Sequence, residues 1–119
     1  MNKLVKVIFI GEAKEAFERL NLIVGKQMEQ GKENTSEMQL LKSIHQKISL
    51  IKANPFYGDN IQKKLIPHKL RVPNLWRVEL SGFWRMLYML KGDEIEIVAF
   101  MLEILSHPDY DKLFGYRGK

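Results

Sequence analysis

The side chains best suited to chemistry are two arginines, a histidine and a tyrosine in the second half of the sequence. Arg77 and Arg85 each follow a tryptophan, and His107 lies three residues before Tyr110. A guanidinium group can bind a phosphate through two parallel hydrogen bonds, and an imidazole can gain or lose a proton near neutral pH. If one sheet brings these four side chains together, they form a site suited to general acid–base chemistry at a phosphate.

Three apolar runs have to position these side chains. They span residues 74–80, 84–90 and 95–105, are rich in β-branched and aromatic residues, and are separated by turn residues. This pattern is typical of an antiparallel meander of three strands. Alternation along the strands places the tryptophans on the core face, with Arg77 and Arg85 on the opposite face, which we expect to be open.

The first part of the chain predicts a strand followed by a helix. Residues 4–10 form a β-branched and aromatic run that ends at Gly11. Apolar residues then recur at helical spacing over 13–28, and Gly31 is a suitable end for that helix. Because glycine lowers helix stability by about 1 kcal/mol relative to alanine, Gly25 predicts an early end of the helix.

A second helix is predicted over residues 36–53. Ser36 and Gln39 have the spacing of a capping box, with the serine as the N-cap. Asn54 precedes a proline, which ends the helix because a residue before proline disfavours helical angles. A short turn or helix follows Tyr110 at the other end of the chain, and we expect Tyr116 to help pack it against the body.

This order of elements predicts an α+β domain. We expect a mostly antiparallel twisted sheet with an N-terminal strand, an α-helical hairpin packed on one face, a C-terminal three-strand meander and a short C-terminal turn or helix. The length of 119 residues fits a single domain spanning residues 1–119.

Composition narrows the class of protein. The sequence carries a net charge of +5 and no cysteine. A basic chain suits a polyanionic partner, although a modest excess of lysine often serves only solubility. Without cysteine there is no thiol nucleophile and no disulfide framework, which is typical of cytosolic proteins. The apolar runs are too short to span a membrane, and no metal-ligand spacing or glycine-rich phosphate loop is present. We therefore predict a cytoplasmic protein with no cofactor and no metal.

The strongest local charge bias lies in residues 56–73. This segment is long and irregular, and loops of this kind in small domains are usually functional or mobile. It suits contact with a nucleic-acid backbone, but it is equally typical of a solvated loop. Its only acid is Asp59, and its basic residues are Lys63, Lys64, His68, Lys69 and Arg71.

The chemical candidates also have ordinary structural interpretations. Arg77 can pair across the strands with an acid such as Glu96 or Glu103. The sequence over 106–109 is typical of a capping turn that starts the last helix, which gives His107 a purely local role. The residue types alone leave these alternatives open.

Taken in order, the features resemble the RelE/ParE superfamily of toxins from type II toxin–antitoxin systems, and within it the RelE-like branch. The similarity covers nearly the whole chain: a strand, a helical hairpin, an Asn-Pro boundary, a basic segment, a hairpin and a last strand that ends near histidine and tyrosine. The most specific part is Leu-Trp-Arg-Val-Glu-Leu at 75–80 followed by Trp-Arg-Met-Leu-Tyr at 84–88, which resembles the family's tyrosine–arginine repeat.

The resemblance implies a ribosome-dependent mRNA endonuclease that inhibits translation and is neutralised by a cognate antitoxin. Its reaction would be metal-independent attack of a ribose 2′-hydroxyl on the adjacent phosphate. By position, Arg77 and Arg85 would stabilise the transition state. Tyr110 or His107 would be the acid or base. The residues implied to hold RNA are Lys63, Lys64, Lys69 and Arg71.

Three positions depart from the family pattern. Glu79 stands where many members have a second arginine, and Gln62 and Lys63 stand where some relatives have a catalytic glutamate. His107 and Tyr110 are separated by Pro-Asp rather than adjacent. Glu79 and the missing glutamate favour two other functions, a ParE-like DNA gyrase poison or a catalytically inactive module that binds an antitoxin or RNA, whereas the His107/Tyr110 pair and the basic segment favour the endonuclease.

Overall fold

The computed structural model describes residues 3–93 and 95–115 and confirms the α+β class. The expected contact of Tyr116 lies outside the described residues. The helices and strands, in chain order, are β1 (Leu4–Phe9), α1 (Gly11–Glu29), α2 (Ser36–Ala53), β2 (Asp59–Asn60), β3 (Trp76–Glu79), β4 (Arg85–Gly92), β5 (Glu96–Leu105) and α3 (His107–Phe114).

The strands form one mixed sheet in the order β1-β5-β4-β3-β2. The predicted meander of β3, β4 and β5 is confirmed, since both of its pairings are antiparallel. The N-terminal strand β1 lies parallel to β5, with Leu4 opposite Glu96. The two-residue strand β2 was not predicted, and it places Asp59 opposite Arg77 on β3.

The ends of the helices differ from the sequence prediction in two details. Helix α1 continues through Gly25 to its last residue, so the predicted early end is wrong. Burial of Leu20 and Val24 on the same helix offsets the glycine, because packing contributes more to helix stability than propensity does. The N-cap of α2 is Thr35 and not Ser36, since the Thr35 hydroxyl accepts a hydrogen bond of 3.1 Å from the Met38 amide.

The helical hairpin covers one face of the sheet and forms the main core. The tryptophan-bearing face of β3 and β4 points into this core, as alternation predicted, with Trp76 and Trp84 at its margin. The buried residues come from both helices and from three strands: Ala13, Leu20, Val24, Leu40, Ile44, Ile51, Val78, Leu80, Met86, Tyr88, Ala99, Met101 and Ile104.

The opposite face is not open, and that expectation is wrong. Leu75, Leu87 and Tyr110 are buried there in a second, smaller cluster. The cluster is covered by α3 and by the segment 61–72, which contains two short 3-10 turns. Leucines on this side of β3 and β4 need cover from water, and the apolar residues of the segment supply it: Ile61, Ile66, Leu70 and Val72.

Candidate active site

The antiparallel pairing of β3 and β4 places both candidate arginines on the second face of the sheet. Arg77 lies opposite Leu87, and Arg85 lies opposite Glu79. Because side chains alternate along a strand, Arg77, Arg85 and Leu87 share one face. The two guanidinium groups therefore border the small apolar cluster and are only partly exposed.

Tyr110 of α3 connects the two arginines. Arg77 donates a hydrogen bond of 3.1 Å from Nη1 to the phenol oxygen of Tyr110. The guanidinium carbon of Arg85 lies 4.6 Å from the centre of the same ring, a cation–π contact. The ring stacks on Phe114 at 4.4 Å between centroids, and Tyr110 is only 3% exposed. Tyr110 thus fixes the relative positions of both guanidinium groups.

His107 begins α3 and lies beside Arg85. The distance from Arg85 Nη1 to His107 Nδ1 is 2.8 Å. Since arginine stays protonated, it is the donor, and Nδ1 must be the unprotonated nitrogen of the ring. The proton of the neutral ring is then on Nε2, which faces Asp111 Oδ2 at 3.4 Å. The capping interpretation also holds, because the Ser106 hydroxyl accepts a hydrogen bond from the Asp109 amide.

Each arginine also contacts a carboxylate. Arg77 Nη2 lies 3.1 Å from Asp59 Oδ2, so its partner is neither Glu96 nor Glu103. Arg85 Nε lies 3.2 Å from Glu79 Oε2. The contact between Arg85 and Glu79 is an ion pair without a hydrogen bond, since Arg85 Nε is buried without a hydrogen-bond partner among the described residues. The negative charge expected from Glu79 therefore lies directly against the site.

Tyr88, which is buried in the main core, binds the backbone next to Asp59. The Tyr88 hydroxyl donates to the Pro55 carbonyl at 2.8 Å and accepts from the Gly58 amide at 3.0 Å. Burial raises the pKa of Tyr88, so this hydroxyl stays protonated as a donor. A Cβ added at Gly58 would lie 2.8 Å from the Arg77 carbonyl oxygen, so only glycine allows this approach. The sequence gives no sign of this contact between Gly58 and β3.

The charge of Arg77 is secured by these neighbours. Burial by itself lowers the pKa of Arg77, but hydrogen bonds to Tyr110 and Asp59 outweigh it, and the pKa is raised overall. The guanidinium group is therefore a permanent positive charge held in a fixed orientation.

Together the four candidates supply two cations, one imidazole and one buried phenol in a contiguous group.

Comparison with known proteins bears on the fold of the chain and not on this group of side chains. No protein-family model and no curated protein matches the sequence. A solved structure described as a YoeB/ParE toxin from Agrobacterium tumefaciens superposes with a TM-score of 0.56. The match covers 86% of this chain and 98% of that chain at 16% sequence identity. The chain has the RelE/ParE toxin fold. At this identity the likeness concerns the fold alone.

On this RelE/ParE fold the basic segment carries four candidate RNA-binding cations, all of them exposed. Within residues 3–93 and 95–115 none of the four forms an ion pair. Lys63 and Arg71 line a shallow cavity of about 390 Å³ together with His68, and Lys64 and Lys69 lie outside its lining. Arg71 adopts left-handed backbone angles, with φ of 53°. The segment thus presents unneutralised positive charge over the second face of the sheet.

Two further properties concern the described part of the RelE/ParE fold. None of its helices combines the length and the apolar character needed to cross a membrane. No three histidine, aspartate or glutamate side chains in that part are grouped closely enough to hold a metal ion.

Proposed function

We propose that this protein is the toxin of a type II toxin–antitoxin pair and acts as a ribosome-dependent mRNA endonuclease. The main support is the contact of Arg77 with Tyr110 at 3.1 Å and of Arg85 with His107 at 2.8 Å. Metal-independent cleavage of RNA requires positive charge at the phosphate and a group that transfers a proton. These four side chains are of the required types and form one connected group.

The proposed reaction uses the ribose 2′-hydroxyl as the nucleophile. The 2′-oxygen loses its proton to a base and bonds to the adjacent phosphorus, while the bond from phosphorus to the 5′-oxygen breaks. The leaving oxygen takes a proton from a lysine of the basic segment or from solvent. The products are a 2′,3′-cyclic phosphate and a 5′-hydroxyl. Arg77 and Arg85 stabilise the charge that develops on the phosphate oxygens.

His107 is the side chain that we assign to proton transfer. Its side chain is 54% exposed, so a substrate can reach it. In the free protein Arg85 occupies Nδ1, which is the unprotonated nitrogen. When the arginine turns to a bound phosphate, Nδ1 becomes available to accept the 2′ proton. Asp111 then stabilises the imidazolium, as the carboxylate of a catalytic triad does.

Tyr110 acts as a positioning residue in this proposal. At 3% exposure it is too buried to touch a substrate directly in this structure. Its hydroxyl and ring instead orient the guanidinium groups of Arg77 and Arg85.

The proposed partners follow from the same function. Messenger RNA on the ribosome supplies the phosphate, and the exposed basic segment supplies counter-charges through Lys63, Lys64, Lys69 and Arg71. A cognate antitoxin would hold the protein inactive in the cytoplasm. The likeness to a solved YoeB/ParE toxin supports a toxin role without distinguishing the RelE type from the ParE type.

One observation favours a second candidate, a ParE-like gyrase poison or an inactive binding module. Both arginines face a carboxylate, at 3.1 Å from Asp59 and 3.2 Å from Glu79. Carboxylates so close to a phosphate site repel the substrate unless they move.

Induction of the protein in cells, with messenger 5′ ends mapped and translation followed, separates these functions. For the endonuclease we expect new ends inside reading frames, which Arg85→Ala abolishes and Arg19→Ala, at an exposed arginine of α1, leaves in place. DNA breaks with translation intact would instead identify a gyrase poison. Normal growth at full expression would identify an inactive module and contradict both toxin activities.

A further inference from the structure

Phe83 lies at the turn between β3 and β4 and is unusually exposed. Its relative exposure is 80%, compared with 57% for Phe56 and 41% for Tyr57. An exposed phenyl ring leaves most of its apolar surface in water, so it gains little of the free energy that burial would give. A structural role in packing therefore does not explain this residue.

The backbone at Phe83 is also in an unfavourable conformation. Its φ is +63°, and the preceding Gly82 has φ of +68°. Positive φ at both central residues is the pattern of type I′ hairpin turns, which favour glycine, asparagine and aspartate. For a bulky residue such as phenylalanine this conformation is a genuine outlier. Strain of this kind persists at sites where the side chain has a function.

The turn places Phe83 next to the proposed catalytic group. Arg85 is two residues further along, so the two backbones are within about 7 Å of each other. Glu79 of β3 and Arg85 of β4 form the residue pair nearest to this turn. The exposed aromatic residue is therefore close along the backbone to the arginine that is proposed to bind the phosphate.

We propose that Phe83 stacks on an RNA base adjacent to the phosphate that Arg85 binds. This inference rests on the proposed function and adds a substrate-positioning residue to it. Aromatic side chains bind single-stranded RNA by stacking, which tolerates any base because every base has a π-face. The strained turn then keeps the ring exposed and ready, so little conformational freedom is lost on binding.

A protein partner fits Phe83 less well than a base. Protein interfaces need a contiguous apolar patch, whereas Ser81 and Gly82 on one side of Phe83 are small or polar, and Trp84 on the other side packs against the main core. A groove of about 520 Å³ lies beside this turn, and Phe83 does not line it. An RNA base stacked on Phe83 would lie outside this groove, whose lining includes four acids: Glu12, Glu37, Glu103 and Asp109.

The test uses the full-length protein and a short single-stranded RNA whose 2′-hydroxyls are methylated, so that it is bound but not cut. We expect Phe83→Ala to weaken binding by roughly 5- to 150-fold, the equivalent of ~1–3 kcal/mol for one stacked base at about 1.4 kcal/mol per tenfold. Phe83→Trp should restore binding, and Phe83→Leu should not. Leu22→Ala, which removes another exposed apolar side chain, should have no effect.

An abasic scan identifies the partner base. Removing one base from the RNA should weaken binding to the wild type but have no further effect on Phe83→Ala, as a double-mutant cycle requires. Equal losses for both proteins at every position would overturn the proposal. If the wild-type protein neither binds this RNA nor cuts ribosome-bound mRNA, the proposed function fails, which is a distinct result.

Thermal unfolding of Phe83→Gly supplies a second readout. Glycine relieves the positive φ, so we expect no loss of melting temperature together with loss of RNA binding. A clear drop in melting temperature would show that Phe83 packs in the fold, and unchanged RNA binding by this variant would equally overturn the proposal.

Discussion

The two faces of the sheet are covered in different ways. On the first face, α1 and α2 bury an apolar core that includes Ile44, Met86 and Tyr88. On the second face, α3 and the segment 61–72 bury a small cluster around Leu87 and leave charged groups at its border. The first face holds the main core, whereas the second face carries the four side chains of the proposed site.

Placing charged groups on the second face of the sheet is unfavourable in free energy. The side chain of Arg85 is only 16% exposed, and removing a guanidinium group from water is unfavourable unless it is paired. The pairing here is incomplete, since Nε of both Arg77 and Arg85 is buried without a hydrogen-bond partner among the described residues. Replacing a buried charge with an apolar residue of similar volume is often neutral or stabilising, so stability does not account for the two arginines.

The largest effects are expected from matched truncations on the two faces. Ile44→Ala and Leu87→Ala each remove a fully buried side chain, and each should lower the free energy of unfolding by about 2–5 kcal/mol. We expect the folded fraction of Ile44→Ala to keep its activity, while that of Leu87→Ala loses activity because Arg77 and Tyr110 border it. Urea unfolding and cleavage per folded molecule measure both effects. Equal losses of activity would remove the distinction between the faces.

Tyr110→Phe separates positioning from proton transfer. It removes the hydrogen bond from Arg77 but keeps the ring between Arg85 and Phe114. We expect stability to fall by about 0.5–1.5 kcal/mol and cleavage by roughly tenfold, with the shape of the pH–rate profile unchanged. A loss of about 10²–10⁴-fold together with a missing limb of that profile would make Tyr110 the acid or base.

Substitution of Glu79 tests whether its carboxylate restrains the site. Glu79 is 60% exposed and lies against Arg85, so its contribution to stability should stay within about 1 kcal/mol. Glu79→Gln removes a negative charge next to the phosphate position and should raise RNA affinity several-fold. Glu15→Gln, on the exposed side of α1, is the matched control. Weaker binding by Glu79→Gln would show that the carboxylate supports the site.

The smallest effect concerns Glu103 on β5. Burial raises the pKa of Glu103, the nearby Glu12 raises it further, and Lys69 lowers it. The folded state therefore binds this proton more tightly than the unfolded chain, and this contribution to stability is lost as pH rises through the folded pKa. Glu103→Gln should raise the melting temperature near neutral pH by about 1–3 °C, a figure that allows for the screening of this charge by solvent. The gain should vanish below about pH 4, and a gain that persists there would contradict a charge effect.

Much of the fold could be predicted from periodicity. The change from alternating to helical spacing gave the order of strands and helices, and alternation correctly assigned the tryptophan face to the core. Alternation also placed Arg77 and Arg85 on one face. The resemblance of the two Trp-Arg strands to a family repeat predicted the fold, which the likeness to a solved toxin structure supports.

The rest depends on contacts that leave no local pattern. Strand β2 is two residues long, too short for alternation to show, so Asp59 could not be assigned to Arg77. The segment 61–72 lacks any period, and its role in covering the second face was missed for that reason. The sequence predicts a turn at Ser-Gly-Phe. The positive φ of Phe83, however, is imposed by the hairpin and is not a conformation that phenylalanine favours.

We propose that the second face of the sheet holds a metal-independent centre for RNA cleavage. Cleavage of ribosome-bound mRNA by the purified protein is the most direct test of this proposal. We expect cuts that leave a 2′,3′-cyclic phosphate, and no cut where a 2′-deoxynucleotide replaces the attacking ribose. Arg85→Ala should cut roughly 10²–10³-fold more slowly, and Arg19→Ala at the wild-type rate. Cleavage of the deoxy-substituted message, or a wild-type rate for Arg85→Ala, would contradict the claim.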